Sequence, residues 1–280
     1  MTYWNTASFF TLYATHSRWA PETAHAAGER SILDRWILAE VYALAAAVEE
    51  RLDSYDTARA GRLLAEFIDE LSNWYVRRSR PRFWEGDQDA LATLYECLDM
   101  LTRLLAPFVP FITEEVWQQV IRPGTPSVPE SVHLARWPQP DTRLIDSELS
   151  AQVAIARALA VVGRAARKAH NIRLRQPLAR ALVGLPAGTG LGPALLDDIS
   201  DELNVKRLDW LDPGSQVIDV HVKPNFRQLG KRLLASRSNR SPRRFSSQIR
   251  ARWSAACGPR ARSRSWPLTT GSPSGQTMSW

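Results

Sequence analysis

The stretch YDTARAGRLLAEFIDELSNWYVRRSRPRFW, residues 55–84, decides the fold. Its apolar residues Leu63, Leu64, Phe67, Ile68, Leu71, Trp74 and Tyr75 recur at steps of three and four, the period of a helix that buries one face. The spacing predicts a helix from about Tyr55 to the turn before Pro81, where the proline ring removes a backbone donor. Upstream, residues 29–53 hold neither Gly nor Pro and place Ile32, Trp36, Leu38, Tyr42, Ala45 and Val48 near helical spacing. Downstream, residues 87–106 carry the stripe Leu91, Leu94, Tyr95, Leu98, Leu101, Leu104 and Leu105. Pro107 and Pro110 then break the chain, and TEEVW at 113–117 reads as the first turn of a shorter helix following that break. Long amphipathic helices joined by short loops pack as an antiparallel bundle.

The pattern changes after a Pro-rich connector at 123–140, whose VHLARWP reads as extended. Residues 143–170 form a further predicted helix with Leu149, Val153, Ala156, Leu159 and Ala160 inward. The β-like runs ARALVGLP and SQVIDVHV alternate with a predicted helix at 193–203, pointing to a small α+β unit over about 171–225. From Leu233 the periodicity ends and Ser, Arg, Pro, Gly and Trp dominate; with no apolar face to bury, this stretch is expected to be disordered. The expected domains are a helical one at 1–140, a helix plus small α+β subdomain at 141–232, and a basic tail at 233–280.

The net charge of +7 invites a reading as a nucleic-acid binder, but its location removes that inference. Residues 233–280 contain nine Arg and no Lys, Asp or Glu, so residues 1–232 carry a net charge near −2. Any basic function of the folded part must come from local clusters. The first is SNWYVRRSRPRFW, Ser72–Trp84. At about 100° per residue, Asn73, Arg77 and Arg80 share a polar face, while Arg78 falls in the arc of Leu63, Phe67 and Trp74 and is expected to pair with an acid inside the bundle. Two readings stand side by side: a solvated helix end matched to the dipole, or an edge where Arg77, Arg80 and Arg82 meet RNA phosphates and Trp84 stacks on a base. The second cluster, Arg164, Arg167, Lys168, Arg173 and Arg175, starts on a helix and runs into an extended segment ended by Pro177. It too reads either as solvated charge or as RNA contact.

Catalytic chemistry finds no foothold. No glycine-rich phosphate loop follows a strand, and the five histidines are scattered without metal-ligand spacing. Cys97 and Cys257 form no paired motif, and Cys97 reads as a small core residue. The N-terminal run 1–17 has neither a basic nor an apolar segment of the kind that targets a chain to a membrane, which predicts a soluble, cytoplasmic protein.

Several strings resemble, in order, the region that follows the catalytic core of class I isoleucyl-tRNA synthetases: WNTASFF, LDRWILAE, residues 55–84, LLAPFVPFITEEVW, HNIRLRQPL, ELNVKRLDW and VKPNFRQLGKR. The resemblance covers residues 2 to about 232. The first four strings are shared more loosely with valyl, leucyl and methionyl relatives, whereas NIRLRQPL and KPNFRQLGKR point to the isoleucyl member. The resemblance implies a mainly α anticodon-binding domain with tRNA(Ile) as partner, and from the two basic clusters the expected contacts are Asn73, Arg77, Arg80, Arg82, Trp84, Lys168, Arg173 and Arg175. The family's nucleotide-binding domain, with HIGH-like and KMSKS-like signatures, and its editing domain lie upstream. The expectation is therefore a chain without catalytic residues, metal or cofactor of its own, ATP and Mg belonging to the full-length family. Only four of 36 basic residues are Lys, a sign of GC-rich coding DNA, and such DNA read out of frame yields the composition of residues 233–280. The tail is read as a frameshift product.

Three functions follow: a tRNA-binding fragment inactive alone or the product of a decayed gene, a trans-acting tRNA module serving a separately encoded catalytic portion, or a helical protein with no RNA role.

Overall fold

In a computed structural model, residues 2–21, 24–125, 127–185 and 190–211 are described. The first helix, α1 (Thr2–His16), packs on the bundle through Tyr3, Ala7 and Phe10. Helix α2 (Ile32–Asp53) is started by Ser31, whose hydroxyl accepts from the Asp34 amide. Helix α3 (Thr57–Glu70) is capped by Asp56 accepting from the Arg59 amide at 3.1 Å. After α4 (Arg80–Glu85) comes α5 (Gln88–Leu105), capped by Asp87. Asp and Ser at these positions satisfy amide donors that the first helical turn leaves orphaned. Helix α6 (Pro110–Val116) opens on its proline, where a missing N–H costs nothing, so it starts three residues before the first turn expected at Thr113 and Pro110 begins the helix instead of breaking the chain; a short α7 covers Arg122–Gly124.

The apolar stripes meet as their periods predict. Trp36, Ile37, Val41, Ala45 and Val48 of α2 face Leu91, Leu94, Leu98, Leu101 and Leu104 of α5 in one cluster that also takes Leu64, Phe67 and Trp117. Helix α2 sits at the centre, against α3, α5 and α8.

The helix predicted from Tyr55 to the turn before Pro81 departs from regular geometry. After α3 the backbone widens into a π-helical turn, Leu71–Val76. The consequence is that Trp74, Tyr75 and Val76 are all buried in succession, which one face of a regular α-helix does not allow. Pro81 then lies in the first turn of α4, and Gly86, at φ 76°, ends that helix in the left-handed region that glycine adopts without strain. A second π-helical turn, Trp117–Ile121, extends α6.

The connector holds a 3₁₀ turn at Val132–Leu134, correcting the extended reading of VHLARWP; Val132 is buried and Ser131 accepts from the His133 amide, which curls the chain. Helix α8 (Ser147–Ala169), capped by Asp146, serves two cores. Leu149, Val153 and Ala160 join the bundle cluster, while Ala156 joins Ile199, Leu203 and Val205. Among the described residues α8 is the one helix long and apolar enough to cross a membrane by length and composition. Its close neighbour α9 (Pro193–Leu203) packs at Gly163, where a Cβ would come within 2.5 Å of the Leu203 side chain.

The two described strands, β1 (Ala181–Val183) and β2 (Leu208–Trp210), pair in parallel, Leu182 opposite Asp209. The run ARALVGLP thus holds a strand as expected, but its partner is LDW of ELNVKRLDW, which the sequence reading left unassigned. The second β-like run, SQVIDVHV, and the basic stretch 233–280 lie outside the described residues.

Candidate nucleic-acid interface

The first arginine string folds onto carboxylates. Asp34, in the apolar LDRWIL segment of α2, is fully buried. Arg82 of α4 meets it with both Nη atoms, donating at 2.8 and 2.7 Å, and donates from Nε to Asp87 at 2.8 Å. The Tyr75 hydroxyl donates to Asp34 at 2.7 Å. A forked guanidinium on a carboxylate is the strongest geometry available to the pair, and it closes α4 onto α2. Burial and the neighbouring Asp34 push the Tyr75 hydroxyl well above its ordinary value, so it stays a donor. For Arg82, burial opposes the charge, but hydrogen bonds to Asp34 and Asp87 outweigh it and hold the guanidinium protonated.

Arg77 and Arg78 turn to α9. Both reach Glu202, a buried carboxylate, and Arg78 also pairs with Asp198. Arg164 of α8 closes on the same Glu202, so three guanidiniums surround one carboxylate. The sequence reading placed the partner of Arg78 inside the bundle; the acids come from α9 instead, because the arc that Arg78 shares with Trp74 faces the α8–α9 layer. Beside this cluster the Trp74 ring lies 5.9 Å from the Arg77 guanidinium and 5.8 Å from that of Arg157, which pairs with Glu70. Asn73 is exposed, its carbonyl accepting from Arg77 Nε at 2.9 Å. These groups line a cleft of about 300 Å³ between α3 and α8.

Of the first string, Arg80 and Trp84 remain turned outward. Arg80 is exposed and has no ion pair among the described residues, and Trp84 is 76% exposed. Arg82 departs furthest from the expected phosphate contact, since its fork is occupied by Asp34 and Asp87.

The second string behaves differently. Lys168, Arg173 and Arg175 are exposed and have no ion pair among the described residues. They flank the end of α8, where His170 closes the helix and Asn171, at φ 56°, turns the chain away. Arg167 is buried and donates to the carbonyls of Arg173 and Gln176 from Nη1, at 3.0 and 2.9 Å, and to that of Asn204 from Nη2 at 3.0 Å. One guanidinium thus holds the 171–176 loop against the turn after α9. Arg164 lines both the α3–α8 cleft and a second pocket at this loop, bringing the two basic strings to opposite sides of one residue.

The positions that sequence reasoning missed are the counterions Asp34 and Glu202, and Arg157. Glu202 follows Leu195 and Ile199 on the buried stripe of α9, and Asp34 sits among buried neighbours of α2. A carboxylate at a core position of an amphipathic helix is the available signal, because a buried charge requires a partner. Among the described residues no group of three or more His, Cys, Asp or Glu is placed to hold a metal ion. Cys97 is buried and unpaired, and burial pushes its thiol well above the ordinary value, which fits a packing role.

Comparison with known proteins meets this architecture directly. The model for the anticodon-binding domain of tRNA ligase matches residues 34–182, more than half of the chain. The chain belongs to this anticodon-binding domain family. Its matched span runs from Asp34, the buried counterion, past the Lys168–Arg175 loop, so the domain includes both arginine strings. Isoleucine–tRNA ligase of Streptomyces coelicolor is 51% identical over 234 residues, which are 83% of this chain and 22% of that protein. The Thermobifida fusca ligase is 54% identical over 242 residues, with the same shares. That of Thermus thermophilus is 39% identical over 241 residues, 83% of this chain and 23% of the relative. The anticodon-binding domain chain therefore spans about a fifth of the length of the curated relatives it matches.

Proposed function

We propose that this chain is the tRNA-binding portion of an isoleucine–tRNA ligase, working in the cytoplasm on tRNA(Ile) and performing no aminoacylation by itself. The observation that carries the reading is the exposed set Lys168, Arg173 and Arg175, without an ion pair among the described residues, on a domain of the anticodon-binding family. Side chains that surrender rotamer freedom to no internal partner are the ones available to phosphates, and Lys and Arg contacts to the nucleic-acid backbone dominate affinity. Asn73, Arg80 and the outward Trp84 extend the proposed contact surface onto the first string, the indole as a stacking platform. Arg77 and Arg82 enter this reading as residues that shape the surface through Glu202 and Asp34. Adenylate chemistry, with ATP and Mg, is assigned to portions of a full-length ligase or to a separately encoded catalytic partner.

The test is a salt titration of tRNA(Ile) binding by the full chain, compared with a Lys168→Ala, Arg173→Ala, Arg175→Ala triple variant. Both proteins carry the basic 233–280 segment, so its contribution cancels in the difference. Each lost phosphate contact is expected to flatten the slope of log K against log salt by about 0.7 to 0.9. An unchanged slope would return these cations to ordinary solvated charge and favour a helical protein without an RNA role.

A further inference from the structure

We propose that the pocket at the C-terminal end of α8, lined by Arg164, Arg167, Lys168, Ile172 and Leu174, is a phosphate site that seats one phosphodiester of a bound RNA. This rests on the tRNA-binding reading above and names the group held at one place on that surface.

Arg167 is the one buried cation among the described residues. It is 6% exposed, yet no carboxylate lies within ion-pair distance of it among the described residues. The other deeply buried charges meet an opposite one: Asp34 has Arg82, and Glu202 has three arginines. Burying a charge without a counterion is costly, and the group either loses its charge or acquires a partner. A guanidinium does not deprotonate in proteins, which leaves the partner. Three carbonyls and the negative end of the α8 dipole solvate the charge without cancelling it. Of the five N–H donors of the side chain, the Nε–H and one Nη2–H have no partner among the described residues.

The surroundings select the ligand. Among the described residues Lys168 adds a second cation with no ion pair, and no acidic side chain lines the pocket. Arg164 stands at its edge with its own charge committed to Glu202. The neighbouring α3–α8 cleft makes the contrast: Asp69 and Glu70 line it, and an anion entering would meet both carboxylates. A volume of about 270 Å³ is at the small end for a ligand pocket, sized for one nucleotide unit. Ile172 and the 44% exposed Leu174 supply an apolar wall for a ribose or base, which a bare phosphate ion would not use. Arg167 therefore has two tasks, positioning the 171–176 loop through its carbonyls and presenting its unspent donors to a phosphate.

Lysine acylation footprinting on the unmodified full chain tests this, because the sequence has only four lysines and Lys206, also exposed, is not among the residues lining the pocket. Lys168 is acylated alone, with inorganic tripolyphosphate, and with tRNA(Ile), and read by peptide mass spectrometry against Lys206. At saturating probe the acylation rate of Lys168 is expected to fall about fivefold or more in both arms, with Lys206 unmoved. Protection by tRNA and tripolyphosphate together upholds the proposal. Binding of tRNA that leaves Lys168 as reactive as in the free protein overturns it while the tRNA-binding reading stands. Protection by tripolyphosphate with no tRNA binding overturns the assignment to an RNA phosphodiester and the tRNA-binding reading with it, leaving a free-phosphate pocket. Equal acylation rates at Lys168 with and without tripolyphosphate overturn the site whatever tRNA does.

Discussion

The two basic strings, Ser72–Trp84 and Gly163–Leu178, each carry several cations and no acid and end in opposite electrostatic states. In the first, Arg77, Arg78 and Arg82 are taken by Glu202, Asp198, Asp34 and Asp87, and only Arg80 is left outward. In the second, Arg164 joins the Glu202 cluster, but Arg167 holds only carbonyls, and Lys168, Arg173 and Arg175 hold no acid among the described residues. An arginine-rich string announces charge, but not how that charge is spent. Where helices bring acids in from elsewhere in the chain, arginine is structural; where none arrives, it stays available to a polyanion.

The first string should lose most when a counterion is removed from it. Asp34→Ala leaves Arg82 half-buried without its fork, with Asp87 as its remaining acid, and leaves the Tyr75 hydroxyl only its longer bond to the Ala90 carbonyl at 3.3 Å. Breaking one side of a buried pair costs about 3 to 5 kcal/mol. For a domain of this size that is a fall in melting temperature of roughly 6 to 20 °C. Arg173→Ala with Arg175→Ala, in the second string, should move stability by less than about 0.5 kcal/mol. Thermal melts followed by circular dichroism check both, and comparable losses would erase the distinction.

Much of this architecture could be read from the chain, and what could not has a common cause. The stripes of α2, α5 and α8 were legible because helical period is local: Leu149, Val153, Ala156 and Ala160 announce their own face. The helix at 193–203 was placed in full because Pro193 opens it and Asn204 closes it in the left-handed region. The π-turn at 71–76 was not legible, since Trp74, Tyr75 and Val76 fit a regular helix until tertiary burial demands all three. β2, three residues long, has too few positions to show alternation. The counterions were hidden by distance: Asp34 lies 48 residues from Arg82, and Glu202 125 from Arg77. Even so, Asp34, Glu202 and Arg167 each interrupt the buried stripe of a helix with a charge. Those interruptions were in the sequence, and each marks a site where a partner was owed.

Glu202→Gln should move two observables, stability and tRNA affinity, in opposite directions. The amide removes the negative charge shared by Arg77, Arg78 and Arg164, leaving three like charges at the α8–α9 junction with Asp198 as the remaining acid. Stability should drop by about 2 to 3 kcal/mol, less than for Asp34→Ala because Arg77 and Arg164 can relax into solvent. tRNA affinity should rise and its salt dependence steepen by about one phosphate contact, since guanidiniums released from a carboxylate become free to neutralise RNA. Destabilisation with unchanged or weaker tRNA binding would mean that the first string stays structural even when its acid is gone.

The smallest expected effect is a pH dependence confined to the first string. Asp87 caps α5, accepting from the Asp89 and Ala90 amides at 2.9 and 3.1 Å, and takes the Arg82 Nε bond. Burial works to raise its pKa, but the Arg82 hydrogen bond and the two amides outweigh it and hold the carboxyl below the ordinary carboxylate value. The sign follows from which state binds the proton more tightly. With the folded pKa depressed, the unfolded chain takes up the proton first as pH falls. The stabilisation is thus fully present above the unfolded value near 3.9 and is lost as pH drops through the lower folded value. Asp87→Asn keeps a good cap but removes the charge, so it isolates the ion pair from the helix start. At pH 7 wild type should exceed the variant by about 0.5 to 1 kcal/mol, the partly exposed pair being screened by solvent. That gap should close toward zero through the acid limb of a series of urea unfolding curves. The Arg167 junction, whose bonds go to carbonyls alone, holds no carboxylate, so the protection of the Asp89 and Ala90 amides relative to their intrinsic exchange rates should fall in acid before that of His170 and Ile172 does. A gap that stays constant from neutral pH down to about pH 2, below both carboxyl values, would show that Asp87 acts as a cap and no more.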